Sequence, residues 1–170
     1  NVSDAMKNNV SVKVEYAGDN LGTDSLPTDA GIYTATITIK GTGKCTITIT
    51  AKATGTYKAK SVKVTLTVKP KKAAISKLTL VKGKKLKITW KKDSKATGYE
   101  IQCALKKDFK KIAKKATIKK SGTTSTTLTK LTKGKKYYVR VRAYKNIKVS
   151  GKTKKLVGAW STVKLSGKIK

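Results

Sequence analysis

Apolar residues fall at every second position in one segment after another of this chain, and that spacing permits few folds. A period of two places alternate side chains on opposite faces of a strand, whereas a helix needs a period of 3.6. Val10, Val12, Val14 and Tyr16 alternate with Ser11, Lys13 and Glu15. Tyr33, Ala35, Ile37 and Ile39 repeat the pattern, then Cys45, Ile47, Ile49 and Ala51, then Val62, Val64, Leu66 and Val68. Further on come Leu86, Ile88 and Trp90; Tyr99, Ile101 and Cys103; Phe109, Ile112 and Ile118; Thr126 and Leu128; Tyr137, Val139, Val141 and Ala143; and a closing pair, Val163 and Leu165. The pattern predicts an all-β fold of two tandem β-sandwiches, with four strands legible in the first and seven short strands expected in the second. It also argues against disorder, which a net charge of +33 would otherwise invite.

Charge divides the chain. Of its 41 Lys and Arg, 32 lie after Pro70, opposed only by Asp93, Glu100 and Asp108, so the second part carries +29 and the first seventy residues +4. The step falls at a Lys-Pro-Lys-Lys junction between two alternating patterns, which predicts domains at 1–70 and 71–170 with a hinge over Pro70 to Ala73. The four strands of the first domain make up half or more of a sandwich, which is therefore expected to be either complete or incomplete within this chain. The chain begins in mid-pattern without a leader and is expected to be a monomeric segment of a longer protein. Without a run of eighteen apolar residues, no membrane span is predicted.

The residue types exclude most chemistry. There is no His, the eight carboxylates are scattered, and the Ser and Thr lie on open strand faces without a base, so neither a catalytic residue nor a metal or other cofactor is expected. Cys45 and Cys103 each continue an apolar row, which predicts buried, free thiols in separate cores and no disulfide. Every Lys in a clear strand is predicted on the outward parity, which leaves none inside to form an internal isopeptide bond with Asn.

Family resemblances sharpen this picture. Lys87-Ile88-Thr89-Trp90, Gly98-Tyr99-Glu100-Ile101-Gln102, and Leu131 through Gly134 to Tyr137-Tyr138-Val139-Arg140-Val141-Arg142-Ala143 resemble a fibronectin type III domain in order and spacing, over about residues 72 to 170. The resemblance implies a core Trp90 and a corner at Tyr137; Lys133 stands where that family often has Pro. Asp29-Ala30-Gly31-Ile32-Tyr33 and the Thr-rich strands ending at Pro70 resemble bacterial immunoglobulin-like surface repeats. The Lys-rich character is similar to copies in secreted or wall-attached proteins of Gram-positive anaerobes.

One constellation remains. Tyr138, Arg140, Arg142 and Tyr144 form the outward row of a strand, and parity sends Trp160 outward as well, opposite Arg142, with a three-residue loop around Ser150-Gly151 supplying the register. Trp160-Ser161 with these arginines resembles the tryptophan–arginine ladder of cytokine-receptor type III domains. The row can serve as an aromatic platform for a sugar, or as a stack that stiffens the sheet; the stack is the expectation here. Lys pairs such as Lys84-Lys85 and Lys154-Lys155 favour anions without specifying one, and no motif or recognition helix indicates a specific nucleic-acid partner. The expected function is a non-catalytic spacer and adhesion segment of an extracellular or cell-wall protein, its basic domain suited to anionic wall polymer. The alternative is a carbohydrate-binding module built on the Trp160 face.

Overall fold

The computed structural model describes residues 12–17, 34–39, 42–51, 60–149 and 151–170. Every regular element among them is a strand. The chain divides into two compact units, Asn1–Val68 and Lys69–Lys170.

In the first unit, β1 (Val12–Ala17) pairs antiparallel with β2 (Thr34–Ile39), and β3 (Gly43–Ala51) with β4 (Lys60–Val68). Like meets like across both ladders, Val14 opposite Ile37 and Cys45 opposite Leu66, as the alternating rows require. Burial is less complete than the pattern predicts, since Val64 is 40% exposed. The Asp29–Tyr33 corner and the Cys45 side chain lie outside the described residues.

The second unit is a two-sheet sandwich. One sheet has the order β5 (Ile75–Val81), β6 (Lys85–Trp90), β9 (Ser125–Leu128). The other runs β11 (Lys152–Val157), β10 (Tyr138–Val149), β7 (Gly98–Ala104), β8 (Ile112–Ile118), with the two-residue β12 (Lys164–Leu165) also on β10. The inner rows anticipated from alternation meet in the core: Leu86, Ile88 and Trp90 against Tyr99, Ile101, Cys103, Val139 and Val141, all at most 2% exposed. Each large side chain buried this way contributes about 1.5–3 kcal/mol. Trp90 and Tyr99 touch with ring centroids 5.3 Å apart at a tilt of 55°, an arrangement that suits the ring quadrupoles. The corner expected at Tyr137 is present: its buried hydroxyl accepts a hydrogen bond from the Thr132 backbone N at 3.0 Å.

Several expectations are corrected. Strand β5 escaped the alternation because a bulge between Ile75 and Lys77 shifts its parity, so that Ile75, Leu78 and Leu80 all face the core. The segment read as a hinge is packed onto the second unit: Pro70 and Ala73 are buried, and a Cβ on Gly158 would come within 2.7 Å of the Pro70 carbonyl. Val149 pairs with Lys152, leaving two residues for the hairpin connection instead of three, with Gly151 at φ +75°. The closing strand is split into β11 and β12, and Leu165 is 48% exposed rather than inward, because it pairs with Tyr138 of the outer row. Lys114 breaks the outward rule for lysines. It lies in the inward row of β8 with Ile112, Ala116 and Ile118, half-buried opposite Cys103. An inward-parity charge on an edge strand is a known means of discouraging further strand addition.

Candidate functional site: a stacked arginine column

Arg140 and Arg142 project from the outer face of β10 because Val139, Val141 and Ala143 occupy its core face. The Arg140 guanidinium carbon lies 4.1 Å from the Phe109 ring centroid and 4.4 Å from that of Trp160; the Arg142 carbon lies 4.3 Å from Trp160. The result is a column, Phe109, Arg140, Trp160, Arg142, in which cations and rings alternate. Such a contact is worth about 0.5–1 kcal/mol when exposed and about 2 when desolvated.

The neighbouring strand completes it. Gln102 and Glu100 on β7 pair directly with Arg140 and Arg142 on β10. Gln102 Oε1 accepts from Arg140 Nε at 3.0 Å and from Nη2 at 2.7 Å. Glu100 Oε2 accepts from Arg142 Nε at 2.8 Å and from Nη2 at 2.7 Å, while its Oε1 accepts from Lys155 Nζ. Burial alone pushes the Glu100 pKa up, but hydrogen bonds from Lys155 and Arg142, with their charges, outweigh it and hold the carboxyl below its ordinary value. Burial lowers the Arg140 pKa, and the like charge of Arg142 adds to the shift.

Three of the five residues expected at this site, Arg140, Arg142 and Trp160, are brought together. Tyr138 stays half-buried two pairs along the strand, between Ala104 and Leu165, outside the column. Tyr144 has the expected outer parity but is not an exposed platform, being 3% exposed. Its ring lies against Gly98, where any Cβ would meet the Ile118 carbonyl at 1.9 Å and the Tyr144 hydroxyl at 2.8 Å, and Lys155 Nζ covers it at 4.1 Å.

Phe109, Gln102 and Glu100 were not anticipated in the site, and Ser161 was anticipated only as the neighbour of Trp160 in the ladder resemblance. Phe109 sits in a turn at φ +55°, a conformation bulky residues seldom adopt, and this places its ring under Arg140 rather than in a strand row. Gln102 and Glu100 were quoted only as part of a family segment, although their outward parity on a strand beside the arginines could have found them. Ser161 does two tasks beside Trp160: its backbone N donates to the Val141 carbonyl at 2.7 Å, and its Oγ accepts from the Val141 N at 3.1 Å. Ser166 serves the Tyr137 backbone in the same way at 2.9 Å for both bonds. These side chains satisfy β10 where the closing strand is interrupted, which spares buried donors the cost of desolvation.

The described residues contain no cluster of three or more His, Cys, Asp or Glu suited to a metal, and no helix among them is long and apolar enough to cross a membrane. Cys103 is free and buried, its thiol pushed up to about 11 by burial.

Among the described residues, these features define the second unit as an all-strand β-sandwich with a tyrosine corner and an arginine row on one outer face. The sequence profile of the fibronectin type III domain matches residues 73–158, just over half of the chain, and the protein belongs to that family. Among solved structures it is similar to a two-domain fibronectin type III segment of chicken tenascin, with 17% identity and a TM-score of 0.54, over 83% of this chain and 73% of that one. It is also similar to a structure described as a myokine, with 19% identity and a TM-score of 0.44, over 59% of this chain and 99% of that one. No curated protein matches.

Proposed function

We propose that the chain is a non-catalytic spacer and adhesion segment of a larger extracellular or wall-associated bacterial protein, with an immunoglobulin-like first unit ahead of the fibronectin type III unit. The observation that carries this reading is the closure of the column on the protein's own groups. Each arginine has both a ring partner and an acceptor, and the indole is in contact with two guanidiniums. A column so satisfied braces the β7–β10 sheet and the interrupted closing strand, which suits a module that transmits force or holds distance. Fibronectin type III domains commonly serve as spacers or binding modules, and they are typical of extracellular and surface proteins. The large positive charge of the second unit suits an anionic wall polymer.

Replacing Trp160 by Ala tests the scaffold reading against the carbohydrate-binding alternative. The scaffold reading expects lost stability and an unchanged glycan-array profile; a platform would show lost glycan retention at unchanged stability.

A further inference from the structure

The three-stranded sheet of the second unit has an outer face unlike the column. Leu78, Leu80, Leu86, Ile88 and Leu128 turn to the core, so the alternate residues are committed to the other side. Across the three strands these fall into two rows in direct register: Thr79, Lys87, Thr127, and Lys77, Thr89, Ser125. Each row holds one ammonium and two hydroxyls, with neither a carboxylate nor an aromatic ring. Lys77, Lys87 and Thr127 are exposed.

We propose that this face binds a linear phosphodiester polymer lacking planar bases, of the polyol-phosphate kind. The proposal deepens the anionic-polymer reading above and rests on it. Adjacent strands are about 4.8 Å apart and the rows about 7 Å apart along the strands, so each row offers its ammonium and a neighbouring hydroxyl to one tetrahedral oxyanion and the next row offers the same to the next. Lys is a point charge that tolerates varied approach, whereas Arg would impose planar, bidentate geometry. The absence of a ring from both rows removes the stacking platform on which single-stranded nucleic acids and sugars depend. The first unit repeats the chemistry independently: Lys44 lies opposite Thr67, and Thr46 opposite Thr65 with their hydroxyls 3.5 Å apart.

The test measures retention of the full chain on poly(glycerol phosphate), oligodeoxythymidylate and heparin across a salt series. Lys77→Gln/Lys87→Gln should weaken poly(glycerol phosphate) binding about tenfold and flatten the log–log salt slope by about 1.4–1.8, two phosphate contacts' worth. Lys148→Gln/Lys154→Gln, which removes the same charge from the exposed β10–β11 hairpin, should cost less than about threefold. Thr79→Val/Thr127→Val should weaken binding about threefold with charge unchanged. Equal losses for the two Lys pairs, or equal retention of all three polymers at matched charge, would overturn the proposal while leaving general anion attraction standing. If the unsubstituted chain holds none of the polymers at about 0.15 M salt, the anionic-polymer reading falls and takes this face with it.

Discussion

The two outer faces of the second unit are both basic, yet their charges stand in opposite circumstances. On the β7–β10 face, two arginines are enclosed by Phe109 and Trp160 and bonded to Gln102 and Glu100. On the β5–β6–β9 face, Lys77 and Lys87 stand among hydroxyls with no carboxylate in their rows. Net charge does not distinguish the two faces; the neighbours of each charge do. On the reading proposed above, a guanidinium with a ring and an acceptor is part of the scaffold, and an ammonium among hydroxyls is open to a ligand.

Substitutions on the two faces should separate these roles, and the expected losses of stability fall in order. Trp160→Ala, which removes two cation–ring contacts and the apolar cover over the arginine stems, should cost about 2–3 kcal/mol in urea unfolding of the full chain. Ser161→Ala should cost about 1–2 kcal/mol, because it strips the Val141 N–H of an acceptor at a buried position. Glu100→Gln should show its effect through pH. A carboxylate held below its unfolded pKa contributes stability that is present above that value and lost as pH falls through the folded one. The unsubstituted protein should therefore lose stability below about pH 4.3, and the variant should lack that part of the slope. Lys87→Gln on the opposite face should lie within about 0.5 kcal/mol of the parent. A Lys87 effect as large as that of Trp160 would break the distinction between the faces.

What the sequence disclosed follows from the periodicity of strands. The inner rows of β6, β7 and β10 were legible because alternation and burial coincide there, and the Tyr137 corner because its hydroxyl bond depends on a short local spacing. The arginine row was legible by parity; its indole partner was read both from a family resemblance and from a parity that took Leu165 as inward, and that second premise does not hold. Strand β5 was hidden by its bulge, which moves the apolar residues from spacing two to spacing three. The inward reading of Leu165 failed because the closing strand is interrupted between Val157 and Lys164 and changes register, with Ser161 and Ser166 bonding to the β10 backbone. Phe109 lies in a turn with positive φ, and strand parity has nothing to say about where such a residue points. Tyr144 kept its predicted side, but a glycine and a lysine from neighbouring strands closed over its ring.

On the scaffold reading, the arginine column is coupled to itself and not to a ligand. A double-mutant cycle of Trp160→Ala and Arg142→Ala, read by equilibrium unfolding alongside glycan-array binding, tests it most directly. The expected result is a coupling energy of about 1 kcal/mol with no change in the array. Additive losses at the two positions, with glycan retention abolished by Trp160→Ala, would contradict it and make the indole a binding platform.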